Sequence, residues 1–197
     1  MIATAVADLR RDLNLPADPA RRGPVPLDRF FTELAVSHTA IPGMTLGHVA
    51  AVLQRDGIAV DDLGDPALPL AGFLFVAGRI GKAFVNGDDI LPRRRFTAAH
   101  ELGHFMLHRY RMSRFVLDEK IEDGGTPTTE MEAEANRFAA ELLMPEEVIR
   151  ARAEELKREL RMSICPRGVL EYRLAAELLV SGQAIRFRLS ALGVGDD

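Results

Sequence analysis

A helix predicted from Thr97 to about Arg109 is apolar nearly all the way round, yet it carries the ionisable residues His100, Glu101 and His104 among its apolar side chains. A helix that is apolar on every side belongs in a protein core. Buried ionisable groups need partners, and a metal ion can satisfy two histidines at once. The chain must therefore adopt a fold that encloses this helix together with its ionisable groups.

The spacing of the two histidines predicts a metal site. His100 and His104 are four residues apart, which in a helix places both imidazoles on one face with a rise of about 6 Å. Two such imidazoles can bind one Zn²⁺, although mixed His and carboxylate ligands also accept Mn²⁺ or Fe²⁺. Glu101 lies about 100° further round the helix, where it can take a proton from a metal-polarised water. A chance grouping of this kind has a probability of roughly 1 %.

The third protein ligand has to come from another part of the chain. In a helix predicted over residues 129–143, Glu132 falls about 60° from the centre of the apolar face and Glu134 about 100° away, at its edge. Glu132 is therefore the predicted ligand, with Glu134 as the fallback. Asn136, one turn after Glu132, is placed to hydrogen-bond a ligand histidine, and a polar role at the helix edge fits its position equally well.

Two further residues near the motif are candidates for supporting roles. His108 lies about 12 Å from His100 along the helix axis, too far to share one ion. We therefore expect it to support a ligand or to lie at the surface. If the metal-polarised water attacks an amide carbonyl, the resulting oxyanion needs a donor, and Tyr110 and His108 are the nearest candidates in the sequence.

The rest of the sequence predicts an α+β fold, with many helices around a small, mainly antiparallel sheet. A β-hairpin is predicted from residues 72–77 and 82–86, which flank the turn-like Gly78-Arg79. The other predicted elements are helices near 27–37, from a cap at Thr45 to Asp56, over 129–143, from Pro145 onwards and as a pair within 166–192, a strand at 58–60 and a loop over 111–128.

The chain divides into a short N-terminal segment and one main domain. Residues 1–26 are predicted to form a short amphipathic helix, over about 1–14, and an extended arm rich in Pro and Gly. Residues 27–197 are predicted to form the main domain, which includes the C-terminal helices at about 166–193.

Composition excludes several classes of protein. The net charge of −4 does not fit a polycation that binds nucleic-acid phosphates. No segment is long and apolar enough to cross a bilayer, and residues 1–15 lack the pattern of a signal peptide. The single cysteine, Cys165, rules out an intrachain disulfide and fits a reducing compartment. We expect a cytoplasmic protein that binds neither membranes nor nucleic acid.

One alternative concerns the C-terminal helices. Residues 174–192 have the helix, turn and helix of a DNA-reading module, with Arg186 and Arg188 on the second helix. The start of that helix carries no basic cluster, which favours packing against the core.

Two segments resemble a known family. The segment 95–108, RFTAAHELGHFMLH, resembles the core motif of the ImmA/IrrE metallopeptidases, and the segment 132–145, EAEANRFAAELLMP, is similar to that family's second signature. The resemblance covers roughly residues 45–193. It implies a zincin-like fold and one zinc ion per chain, bound by His100, His104 and Glu132.

The resemblance also implies a function. Members of the family act inside bacteria as regulatory endopeptidases that cut or otherwise inactivate a helix-turn-helix transcriptional repressor during a stress or mobile-element response. We expect the exposed edge of the hairpin to hold an extended substrate as an added strand. The competing hypothesis is a non-proteolytic protein that binds the repressor and keeps a structural zinc site. The oligomeric state stays open.

Overall fold

The computed structural model describes residues 1–20, 22–60, 63–111, 115–119, 130–161 and 165–195. Within these ranges the chain forms eight helices and one four-stranded sheet, so the predicted α+β class is confirmed. The helices are α1 (Ile2–Asp12), α2 (Leu27–Glu33), α3 (Leu46–Arg55), α4 (Leu91–His108), α5 (Glu130–Leu143), α6 (Glu146–Leu160), α7 (Arg167–Leu178) and α8 (Gly182–Leu192). The strands are β1 (Val36–Ile41), β2 (Leu70–Ala77), β3 (Ile80–Asn86) and β4 (Phe115–Glu119).

The sheet is mixed and has the strand order β1-β3-β2-β4. The predicted hairpin is confirmed: β2 and β3 pair antiparallel, and Gly78 takes a positive φ of +63° in the turn between them. β4 pairs antiparallel with β2, whereas β1 pairs parallel with β3. Both edges of the hairpin are therefore already paired, and the expectation that its exposed edge would receive a substrate strand was wrong.

Both faces of the hairpin are buried, which explains its high content of Phe and Val. Leu74 and Val85 face the main apolar core, where α4 and α5 pack against the sheet. Phe73 and Phe84 face a smaller cluster built around α3. Because side chains alternate between the faces of a strand, the sheet holds α4 on one side and α3 on the other.

Two predictions in the N-terminal half were wrong. The helix predicted over 27–37 ends at Glu33, because Ala35 takes a positive φ of +53° and β1 begins at the next residue. Residues 58–60 form no strand. The Ile58 amide instead donates to the Leu53 carbonyl just after α3, and its side chain packs on the cluster around that helix.

Two predictions around α4 were also wrong. This helix begins at Leu91, well before the predicted start at Thr97, and Pro92 lies in its first turn, where the missing amide costs nothing. Residues 115–119 form β4 inside the stretch that was predicted as a loop. The parts of that stretch at 112–114 and 120–129 lie outside the described residues.

The helices predicted elsewhere are confirmed. Thr45 caps α3 by accepting a hydrogen bond from the His48 amide. α5 covers almost the predicted range, and α6 follows Pro145 directly. The predicted C-terminal pair is α7 and α8. None of the described helices is long and apolar enough to span a membrane.

Both ends of the described chain contact the C-terminal end of α5. The apolar side chains of α1 belong to the main core, and Arg10 of α1 donates to the Leu142 carbonyl. Arg188 of α8 donates to the Met144 carbonyl at 2.9 Å and forms a two-pronged ion pair with Glu141. The last carbonyls of a helix have no partner within it, so these arginines stabilise the end of α5.

Candidate metal centre

Close packing of α4 on α5 builds the site. A Cβ at Gly103 of α4 would lie 3.1 Å from the Phe138 Cβ and 3.2 Å from the Ala135 Cα. A glycine therefore lets the backbones of the two helices approach more closely than any other residue would. This contact brings Glu132, one turn before Ala135, against the histidines of α4.

Ligand atoms of three residues converge between the helices. The Nε2 atoms of His100 and His104 are 3.0 Å apart. Glu132 places Oε2 at 3.1 Å from His100 Nε2 and Oε1 at 3.3 Å from His104 Nε2. The side chains are 5 %, 0 % and 18 % exposed, respectively, so the group is enclosed by protein. These three residues form the group that could hold a metal ion in the described part of the chain.

The donor spacing fits a tetrahedral metal ion. Two ligand atoms bound to one zinc ion lie about 3.3 Å apart, given metal–ligand bonds of about 2.0–2.1 Å. The observed separations of 3.0, 3.1 and 3.3 Å, in which Glu132 faces each histidine with a different oxygen, are close to this value. Two imidazole nitrogens and a carboxylate are also a common ligand set of a catalytic zinc site. The residues present therefore fit the group that the motif implies.

Asn136 orients the first histidine. Its Oδ1 lies 3.0 Å from Nδ1 of His100. An amide oxygen only accepts hydrogen bonds, so the proton of this imidazole is on Nδ1 and the lone pair of Nε2 faces Glu132. The predicted placement of Asn136 against a ligand histidine is what the structure shows.

Burial and contact favour the protonation states that a divalent metal requires. Burial lowers the pKa of His104 below its ordinary value of 6.5, against the opposing effect of Glu132. Contact with His100 and, next, with His104 holds the pKa of the Glu132 carboxyl well below its ordinary value of 4.5. A neutral imidazole and an ionised carboxylate are the forms that bind metal.

Glu101 is buried beside β2. Its side chain is fully enclosed, at 0 % exposure. Gly72 of β2 lies directly against it, since a Cβ at position 72 would be 2.1 Å from Glu101 Oε1 and 2.8 Å from Thr97 Cγ2. Sequence reasoning did not identify Gly72. The available signal was a glycine inside a predicted strand, which indicates a close approach of another group.

The other sequence candidates lie around the cluster. His108 is buried, with Nδ1 3.1 Å from His104 Nδ1 and Nε2 2.9 Å from Glu134 Oε2. Glu134, the fallback ligand, therefore contacts His108 rather than the converging group. Tyr110 is 77 % exposed, and its ring lies 4.9 Å from the Arg109 guanidinium carbon. No contact joins Tyr110 to the cluster within the described ranges.

The family assignment rests on a sequence comparison. The model of the family described as IrrE N-terminal-like domain, a peptidase family, matches residues 73–190. The chain belongs to this family. The IrrE-like region starts in β2 and ends in α8, so it contains Glu101 and all three converging residues. It also supports a metallopeptidase type of function. Among curated proteins, none matches the chain significantly.

The IrrE-like region includes the helices that resembled a DNA-reading module. Arg188 of α8 is only 6 % exposed and faces α5. Arg186 lies 3.5 Å from the Glu171 carboxylate of α7. Arg188 is thus part of the packing between α8 and α5, whereas the Arg186 side chain is 65 % exposed. That these helices do not bind nucleic acid stays a prediction.

Proposed function

We propose that this protein is a zinc-dependent endopeptidase of regulatory type, which cleaves a helix-turn-helix transcriptional repressor in a stress or mobile-element response. The observation that carries the proposal is the convergence of His100, His104 and Glu132 at tetrahedral spacing beside Glu101 in a peptidase-family domain. The resemblance of segments 95–108 and 132–145 to ImmA/IrrE proteins supports the class of substrate.

The residues have distinct roles in peptide hydrolysis. His100, His104 and Glu132 would hold the zinc ion through the atoms that converge. When bound, zinc supplies Lewis-acid polarisation of the attacking water and of the scissile carbonyl. Glu101 accepts the proton of the attacking water and delivers it to the leaving amine. The enclosed position of Glu101 keeps bulk solvent away from this transfer.

The sheet offers a place for an extended substrate. β4 is an edge strand, and its Asp118 pairs with Gly72, the residue against Glu101. A peptide added to the outer edge of β4 would run close to the catalytic carboxylate, with main-chain hydrogen bonds supplying affinity.

Neither ring nitrogen of His108 is available as an oxyanion donor, since each contacts another side chain. Tyr110 lies at the surface at 77 % exposure. Neither candidate is therefore placed to donate to the oxyanion in this structure.

The test compares wild type with Glu101→Gln on helix-turn-helix repressors, beginning with any that neighbouring genes encode. Wild type loaded with one zinc per chain should cut the repressor, and a chelator should stop the reaction. Glu101→Gln should bind the same amount of zinc and leave the repressor intact. Equal cleavage by both proteins would rule out Glu101 as the base. Tight repressor binding without cleavage by wild type would favour the non-proteolytic alternative.

A further inference from the structure

A buried chain of hydrogen bonds leads from His104 out to Glu134. Nδ1 of His104 lies 3.1 Å from Nδ1 of His108, and Nε2 of His108 lies 2.9 Å from Glu134 Oε2. The His108 side chain is 1 % exposed, whereas that of Glu134 is 33 % exposed. His108 does not belong to the converging group, but each of its ring nitrogens contacts another side chain: Nδ1 contacts His104, and Nε2 contacts Glu134.

The Glu134 carboxylate, at the outer end of this chain, determines which atoms donate and which accept. An ionised carboxylate only accepts hydrogen bonds, so Glu134 fixes the proton of His108 on Nε2. Nδ1 of the neutral His108 then carries a lone pair and accepts the hydrogen bond from His104 Nδ1–H. His104 is left with its lone pair on Nε2, the atom that lies 3.3 Å from Glu132 Oε1.

We propose that His108 and Glu134 are positioning residues, which fix the tautomer and ring orientation of His104 so that its Nε2 is presented to the metal. The proposal rests on the metal site of the proposed function. It assigns to the two residues one joint task that neither could perform alone. His108 without Glu134 would be free to place its proton on either nitrogen, and Glu134 without His108 contacts no ligand.

The two ligand histidines are oriented by different means. Asn136 accepts directly from His100 Nδ1 at 3.0 Å. His104 instead contacts the imidazole of His108. His108 in turn contacts the partly exposed Glu134 carboxylate on α5, so the carboxylate orients His104 indirectly. Partners of this kind orient a metal ligand and raise its basicity, and their removal weakens metal binding by about 10–100-fold.

The test measures metal affinity in four variants, which requires no substrate. Zinc affinity comes from competition with a chelator, and the visible spectrum of the cobalt-loaded protein reports ligand geometry. His108→Leu fills the space but removes the acceptor, whereas His108→Asn keeps an acceptor oxygen near the place of Nδ1. Glu134→Ala removes the outer carboxylate. Glu130→Ala, an exposed position on the same helix, is the matched control.

The expected zinc affinities of the four variants distinguish a role of His108 in orienting His104 from a role in packing alone. His108→Leu should lower zinc affinity about 10–100-fold and alter the cobalt spectrum, whereas His108→Asn should recover most of the affinity. Glu134→Ala should lose affinity in the same direction by a smaller factor, and Glu130→Ala should match wild type. If His108→Leu does not fold, the change at the partly exposed Glu134 decides the outcome.

Three results would overturn the proposal. The first is wild-type affinity in both His108→Leu and Glu134→Ala, or in Glu134→Ala alone if His108→Leu does not fold. The second is an equal loss in His108→Leu and His108→Asn, because both keep a side chain of similar reach but only one keeps the acceptor. The third is that the wild-type protein does not bind zinc, a result that would contradict the proposed function as well. Failure to cut a repressor, with the expected affinities intact, would overturn the proposed function alone.

Discussion

Gly72 of β2 and Glu101 of α4 occupy a space that has room for only one side chain. A Cβ at position 72 would lie 2.1 Å from Glu101 Oε1, well inside van der Waals contact. The strand therefore has no side chain at the place where the proposed catalytic carboxylate is held, and the carboxylate is confined by backbone rather than by a movable group.

Gly72→Ala should impair catalysis without removing the metal. The new methyl group displaces the Glu101 carboxylate, and a misplacement of about 1 Å costs about 10²-fold in rate. None of the three converging residues supplies the atoms nearest to a Cβ at position 72, so zinc stoichiometry should stay at wild-type level. Cleavage kinetics and elemental analysis of the same preparation measure both quantities. Unchanged kcat in Gly72→Ala would show that this packing does not set the position of Glu101.

Gly103→Ala should weaken the site by moving helices apart. The added Cβ meets the Ala135 backbone at 3.2 Å, and a backbone atom cannot rotate away. We expect the free energy of unfolding to fall by about 1–3 kcal/mol, the usual cost of overpacking, and zinc affinity to fall because Glu132 moves with α5. Denaturant unfolding and chelator competition measure the two effects.

Gly168→Ala is the control for that substitution. Gly168 lies in α7, and a Cβ there would meet nothing within 4 Å. This variant should be as stable as wild type or slightly more stable, since alanine favours helix. A loss of stability in Gly168→Ala equal to that in Gly103→Ala would argue against the contact between α4 and α5 as the cause.

Zinc affinity should depend on pH through the imidazoles. Burial lowers the pKa of His104 below 6.5, so the folded chain binds this proton more weakly than an unfolded chain does. Protons compete with metal for each imidazole. Affinity should therefore be nearly constant above about pH 7 and fall at lower pH, by up to about tenfold per pH unit for each imidazole that must lose a proton.

Glu132 should not contribute to this fall in the same range. Its lowered pKa keeps the carboxylate ionised until the pH is well below 4.5. Chelator competition between pH 5 and 8, with chelator affinities corrected for pH, measures the profile. A rise in zinc affinity as the pH falls would contradict the assignment of imidazole ligands.

Removing one partner of the Arg188–Glu141 ion pair should cost more stability than replacing both partners. Arg188 is 6 % exposed and its partner 19 % exposed. Arg188→Met leaves a largely buried carboxylate without its partner, and we expect a loss of about 3 kcal/mol in the free energy of unfolding. The double variant Arg188→Met/Glu141→Leu should recover most of this loss. Thermal and urea unfolding of both variants measure these free energies. Equal losses in the single and double variants would contradict the explanation by an unpaired carboxylate.

The three converging residues could be predicted from the sequence because the spacing of residues in a helix determines which face each side chain lies on. His100 and His104 share a face at any position in a fold, and Glu132 stands out as a carboxylate within an apolar arc. Whether Glu134 or Glu132 meets the histidines depended on the rotation of α5, which Gly103 and Ala135 set through their close contact. The structure places Glu132 in the group and turns Glu134 to His108.

The missed strands depend on partners distant in sequence. Residues 37–40 of the edge strand β1 are all exposed, so the strand has no apolar alternation to recognise. β4 exists through its pairing with β2, which lies far away in the chain. The start of α4 was missed because three arginines, at 93–95, interrupt the apolar pattern ahead of Thr97. Pro92 was the overlooked signal of a first helical turn.

The arginines that hold the end of α5 have a consequence for a chain still attached to the ribosome. Arg10 and the three converging residues are all synthesised before α5 is complete, but Arg188 follows Met144, whose carbonyl it contacts, by 44 residues. A nascent chain can thus contain His100, His104 and Glu132 while Arg188, one of the two arginines that contact the end of α5, has not yet been synthesised. The contact from α8 to the end of α5 can therefore form only after residue 188 has been synthesised, later than the contact from α1.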